Sequence, residues 1–195
     1  MGCGTIRRTK RDVVNMIKRS SQLDRDEYEH LINHYLIRDD WQAAYQCSLE
    51  AVGEFKEDGE FQYLHGSICA YLKKFEDAVT WLSRSIQTGL NSFFPAVFQL
   101  GLIYLTSGRI DEAKETWADL EKLEPDHYFR LFREGMLCLI KNEFEKSELK
   151  IKAGVKSNTE FPSINNDMEI VLIQIGNALG SNKNIERHYS DAEAE

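Results

Sequence analysis

No stretch of this 195-residue chain approaches the roughly 20 consecutive apolar residues that a membrane-spanning helix needs. The opening residues also lack a secretory apolar segment, so export by that route is not expected and a cytoplasmic setting is. Cysteine is sparse: Cys3, Cys47, Cys69 and Cys138 show no paired short spacing. That excludes a zinc site or a disulfide framework and leaves them as small core residues in a reducing compartment. Proline is scarcer still, with three in the whole chain. Few prolines leave long segments free to be helical. The chemistry of catalysis is missing too. His30, His34, His65, His127 and His188 are scattered, and although His30 and His34 share a helix face, with Glu27 before them, no further ligand lies at a persuasive spacing. There is no Gly-rich phosphate loop ending in Lys-Ser/Thr and no serine-nucleophile elbow. The expectation is a protein without catalytic residues, cofactor or metal.

Positive charge is concentrated at one end. Residues 1–22 hold Arg7, Arg8, Lys10, Arg11, Lys18 and Arg19 against Asp12, which is +5, so a net charge of −8 leaves −13 on the remainder. An acidic body argues against nucleic-acid binding, because phosphate contacts need clustered cations. Val13, Val14 and Ile17 lie at helical spacing within the arm, with Met16 alongside.

What the chain does contain is a period. Gly66, Gly101 and Gly135 each sit inside an apolar stretch, and a small residue follows twelve positions later at Ala78, Ala113 and Ser147. The unit returns every 34–35 residues. Glycine inside a helix costs roughly 1 kcal/mol relative to alanine. Its return at a fixed spacing therefore marks a place where elements approach too closely for a side chain.

The most complete unit runs through Leu100-Gly101, Tyr104, Gly108, Ala113, Trp117 and Pro125, and it resembles the tetratricopeptide repeat. Gly66, Phe75, Ala78 and Leu82 carry the preceding repeat in the same frame, and Gly135, Phe144, Ser147 and Ile151 the following one. An earlier unit is read from Tyr35, Trp41, Ala44 and Ala51, with Ile32 where the glycine would stand. Cys69 and Cys138 replace a usual tyrosine, while Ser85, Leu120 and Gly154 replace a late alanine. Ile175-Gly176-Asn177-Ala178-Leu179 resembles the start of a fifth unit, preceded by an irregular loop over 157–166 and a cap at Asp167.

The resemblance implies an all-α, right-handed solenoid of four helical hairpins plus a partial fifth unit or capping helix. The expected layout is a partly helical basic arm over 1–22, repeats over about 25–58, 59–93, 94–127 and 128–161, the partial fifth over 167–180, and an acidic tail over 181–195. Ser21 with Asp24 reads as the start of the first helix, Gly89 as a left-handed helix stop, and 110–123 as one helix.

It also implies a function: gripping a partner along the concave face, which the first helix of each repeat lines. On the family's pattern the apolar part of that wall is Tyr63, Tyr71, Phe98, Leu102, Phe129, Phe132 and Met136. Those residues point to a protein or peptide segment carrying apolar side chains, held by an adaptor, chaperone or assembly factor. A competing expectation is that Ile170 and Ile173 of the last unit close over Phe129, Phe132 and Met136. The clamp that some family members use for acidic chaperone tails does not fit, since Glu29 stands where a lysine belongs. Size and acidity also resemble the class II chaperones of bacterial type III secretion, although the repeat number and basic arm depart from them. An alternative is a membrane-peripheral scaffold. Met1-Gly2-Cys3 is similar to the start of doubly acylated proteins, with Arg7, Arg8, Lys10 and Arg11 following, but Ile6 occupies the usual Ser/Thr position. Each basic residue there would add about 1 kcal/mol at an anionic surface.

Overall fold

The computed structural model describes residues 23–89 and 93–192. Asp24 opens the first helix, α1 (Arg25–Ile37), through a reciprocal capping box: its carboxylate accepts from the Glu27 amide at 2.9 Å, and the Glu27 carboxylate accepts from the Asp24 amide at 2.8 Å. The cap is thus Asp24 with Glu27, and Ser21 lies outside the described residues. Asp40 caps α2 (Trp41–Glu54) by accepting from the Ala43 amide, and Asp58 caps α3 (Gly59–Tyr71) by accepting from Glu60 and Phe61. Next come α4 (Phe75–Thr88) and α5 (Phe94–Thr106), the latter with Pro95 in its first turn. There the missing proline N–H has no helical partner to lose. The remaining helices are α6 (Ile110–Thr116), α7 (Tyr128–Ile140), α8 (Phe144–Ser157) and α9 (Pro162–Ala192).

Consecutive helices pack as hairpins, and α3 touches α5 as α5 touches α7. The odd-numbered helices therefore form an inner layer and the even-numbered ones an outer layer. Each hairpin turns on one residue with positive φ: Asp39 at 56°, Lys73 at 60°, Gly108 at 77° and Asn142 at 59°. Glycine and, less readily, Asn or Asp accept that left-handed conformation, whereas Lys73 holds it at a cost. Gly89 does not use this freedom. It ends α4 with φ −65° and ψ 120°, and an added Cβ would lie 3.2 Å from both Phe93 Cβ and the Ser85 carbonyl oxygen.

The recurring glycines face large side chains sixteen positions on. A Cβ on Gly66 would sit 2.9 Å from Leu82 Cγ, on Gly101 2.1 Å from Trp117 Nε1, and on Gly135 2.6 Å from Ile151 Cγ1. The first hairpin inverts the pair. Its large residue is Ile32 on the inner helix, and the matching outer position is the small Ser48, both fully buried. Ala44, Ala78, Ala113 and Ser147 are fully buried beside them. Ser147 satisfies its hydroxyl by donating to the Gly135 carbonyl at 2.8 Å.

Two expectations about the outer helices change. The segment over 110–123 breaks after α6 into a 3₁₀ turn, Ala118–Lys122. Trp117 and Leu120 are both fully buried, and their three-residue spacing suits the tighter helix. At the other end the loop is short. Asn158 accepts from the Glu160 and Phe161 amides, donates to the Phe161 carbonyl and Asn165 Oδ1 at 2.9 Å each, and its carbonyl accepts from Asn165. That knot turns the chain within four residues, so α9 starts at Pro162, not at Asp167. Its backbone stays helical to Ala192, across what composition reads as a separate tail.

Candidate functional site: the concave face

The final residues of the four inner helices are Ile37, Tyr71, Thr106 and Ile140, which repeat at intervals of 34, 35 and 34. They form a row along one end of the concave wall. At its open end Ile37 is 84% exposed and Tyr71 58% exposed. Tyr71 is held in place by Trp41, whose ring stacks on it at 3.4 Å between centroids. Such a rigid exposed aromatic gives a surface contact area at little entropic cost.

Deeper in the wall the picture differs from the one expected. Tyr63, Phe98, Phe129, Phe132 and Met136 are core residues, none more than 8% exposed, and a partner cannot touch them in this arrangement. Leu102 is half-buried, and only Tyr71 of the seven is open to solvent. The physical reason is crowding by aromatics and by the last helix. Phe98 lies 5.6–5.8 Å between ring centroids from Trp117, Phe129 and Phe132. Phe132 reaches into the space left by Gly154, where a Cβ would sit 2.5 Å from its ring. Phe161 closes over Phe129 at 5.9 Å. Tyr63 sits edge-on to Phe93 at 5.1 Å, and burial pushes its phenol up to about 12, with the Asp167 carboxylate adding to the shift.

The cover is α9. Ile164, Met168 and Ile175 are buried in one core with Phe98, Phe129, Phe132 and Met136, and Val171, Leu172 and Leu179 pack against it. The covering face is therefore not the one expected: Ile170 and Ile173 point away, 56% and 64% exposed. The run from Met168 to Leu179 is apolar on nearly every side, so spacing alone did not select the buried face. Asp167 is exposed, yet the protein packed around it pushes its carboxyl upward from the ordinary value. No cation pairs with it among the described residues. Gly176 and Gly180 have nothing within 4 Å of an added Cβ, so each gives up about 1 kcal/mol of helix stability without a contact that needs it.

One cluster here was not anticipated. His65 is buried under Tyr45 and Trp81, with Nδ1 2.7 Å from the Ser48 hydroxyl, and burial lowers its pKa to about 4. Its signal in the sequence is Ser48, the small residue opposite Ile32, whose hydroxyl reaches the ring. The arrangement is structural, since both groups are sealed from solvent. Cys47 and Cys69 are likewise buried, their thiols pushed up to about 11. No group of three His, Cys, Asp or Glu among the described residues can hold a metal ion. No helix among them is long and apolar enough to cross a membrane. The arm residues Gly2, Cys3, Arg7, Arg8, Lys10 and Arg11 lie outside the described residues.

Comparison with known proteins agrees with the geometry. Residues 94–127 match the tetratricopeptide repeat family. Among solved structures, the chain is similar to YrrB, described as a TPR protein with an unusual peptide-binding site, at 22% identity and a TM-score of 0.52 over 69% of each chain. It is similar to MamA at 19% identity and a TM-score of 0.56, over 73% of this chain and 82% of that one. The MamA fragment from Desulfovibrio magneticus RS-1 is 17% identical with a TM-score of 0.54, over 83% of this chain and 94% of that one. The fold is the tetratricopeptide-repeat solenoid. No curated protein sequence matches the chain. The tetratricopeptide fold is typically a non-catalytic scaffold for protein interaction. Here α9 closes over Phe98, Phe129, Phe132 and Met136 of the inner layer, while Ile37 and Tyr71 stay exposed.

Proposed function

We propose that this protein is a non-catalytic interaction module, an adaptor, chaperone or assembly factor that holds an apolar-bearing segment of a partner protein on its concave face. The observation that carries the reading is the exposed pair Ile37 and Tyr71, with Trp41 stacked beneath, on the row where the inner helices end. An isoleucine left 84% exposed and a tyrosine left 58% exposed on that row gain free energy when a partner covers them. YrrB, which shares the fold, is described as carrying a peptide-binding site, which fits the same kind of use. The acidic body favours a partner with basic residues flanking the apolar ones.

The test is affinity capture with the full chain from its native source, wild type against Tyr71→Glu and Ile37→Glu. Ile37 is almost fully exposed, so Ile37→Glu should melt within 2–3 °C of wild type, while Tyr71→Glu also loses the stack on Trp41, worth about 0.5–1.5 kcal/mol, and should melt a few degrees lower yet stay folded. A partner retained by the wild type and lost by both variants supports the reading. Equal capture by all three refutes it. Substituting Phe98 or Tyr63 would be a poor test, because a buried glutamate would disrupt the core.

A further inference from the structure

We propose that the closed half of the concave face is also a docking site, one that accepts an amphipathic helix of a partner protein in place of α9. The proposal deepens the scaffold reading and rests on it. Its ground is that the chain already displays an occupant. Ile164, Met168 and Ile175 project into a surface of Phe98, Phe129 and Phe132, with Val171 and Leu172 packed beside them. This defines what fits: a helix with apolar residues at i, i+4, i+7 or i+8, and i+11, the spacing of one helical face.

The occupant is weakly specified compared with the helices beneath it. Gly66, Gly101, Gly135 and Gly154, one each in α3, α5, α7 and α8, sit where a Cβ would meet a neighbour at 2.9 Å or less, whereas Gly176 and Gly180 are exposed and meet nothing within 4 Å, so α9 gives up helix stability at both without a contact in return. Asp167 adds a carboxylate that pairs with no cation among the described residues and acts electrostatically on the wall's Tyr63 phenol, a group that a competing helix need not carry. The Asn158–Asn165 knot fixes only the first turn of α9. From Met168 onward the helix is held by side-chain packing, and it competes with any incoming helix as a tethered ligand. A partner helix with an amide or hydroxyl in place of the Asp167 carboxylate has the advantage.

The experiment uses fluorescein-labelled synthetic peptides of residues 160–180, in the native form and with Asp167→Asn or Met168→Asp. The receptors are the full chain and its Met168→Asp variant, whose own helix is loosened. The native peptide should bind the variant at least tenfold more tightly than wild type by fluorescence anisotropy. The Asp167→Asn peptide should bind at least threefold more tightly again, and the Met168→Asp peptide should not saturate. Absence of saturable binding to a variant that keeps α1–α8 protected from hydrogen exchange overturns the proposal. So does formation of a stable dimer that takes up no peptide, which would make a second copy the occupant. If the variant fails to fold, hydrogen exchange on the wild type decides. Amides of 168–179 exchanging at least tenfold faster than those of α7 support a displaceable helix, and equal protection overturns it. A client captured without change in α9 exchange would leave the scaffold reading standing and remove this one.

Discussion

Replacing Gly101 by alanine should destabilise the fold by about 3 kcal/mol, although in an ordinary helix the same change stabilises by roughly 1 kcal/mol. The added methyl would lie 2.1 Å from Trp117 Nε1, 2.4 Å from Cε2 and 2.6 Å from Cδ1. The indole must therefore move by more than an ångström, and it has nowhere to go: Trp117 is fully buried and stacked on Phe98 at 5.8 Å. Its N–H donates to the Phe98 carbonyl at 3.0 Å. Moving the ring forfeits that bond in a dry core, which costs about 1–3 kcal/mol, and overpacking strain adds about 1–3 kcal/mol. The helix-propensity gain offsets only a part. Urea unfolding followed by circular dichroism at 222 nm measures the difference, with Gly176→Ala as the control that should gain up to about 1 kcal/mol. Trp117→Leu in the Gly101→Ala background should recover part of the loss, because Leu82 already opposes Gly66 with a more yielding side chain. A Gly101→Ala protein as stable as wild type would refute the close-approach account of the repeating glycines.

Stability should also depend on His65. Its folded pKa of about 4 lies below the ordinary 6.5, so between those values the unfolded chain binds the extra proton. The contribution is full above pH 6.5 and is lost as pH falls toward 4, by about 3 kcal/mol in total. Urea midpoints measured from pH 8 to 4.5 should show this slope in wild type and lose most of it in His65→Gln; parallel curves would contradict the assignment. Lys73 carries a left-handed backbone with φ 60° at a hairpin turn where Gly108 serves in the next repeat. Lys73→Gly should stabilise by up to about 1 kcal/mol and Gly108→Lys should destabilise by a similar amount, both read by thermal melting.

The solenoid was legible because its signals are local and repeated. Each glycine-to-small-residue interval maps onto one hairpin, and Trp117 opposes Gly101 at a spacing that recurs at Leu82 and Ile151. Even the unit without glycine follows the rule, since Ile32 is matched by Ser48. The 3₁₀ break at Ala118 was not legible, because it depends on two buried anchors whose fit is decided by the neighbouring helix. The concave wall was harder. Repeat position alone marks a residue as inner-layer, and it says nothing about what lies on top. Tyr63 and Tyr71 fall in the same repeat at equivalent-looking wall positions, yet one is 8% and the other 58% exposed. The difference is packing by Phe93, thirty residues further along the chain. The face of α9 was ambiguous for a related reason: Ile170, Val171, Leu172, Ile173 and Ile175 offer apolar residues in nearly every direction.

That surplus has a consequence for how the molecule works. A cap that only sealed the last repeat would need one apolar stripe, which Ile164, Met168 and Ile175 supply, and could be polar elsewhere. α9 instead also carries Ile170 and Ile173 on its outer side, more than half exposed. It therefore presents apolar surface outward when seated, and would present it on both faces if it left the wall. A helix of this kind is stabilised by being covered twice, so a partner that covers Ile170 and Ile173 would tighten the seated state, while one that fills the wall would favour release. Ile170→Lys separates these outcomes. It leaves Ile164, Met168 and Ile175 in place, so the fold should melt within 2–3 °C of wild type. A client that binds the seated helix should lose at least tenfold in affinity, and one that displaces it should bind unchanged. Loss of affinity combined with accelerated exchange across 168–179 on client binding would break the argument, because one client cannot both require the outer face and expel the helix that bears it.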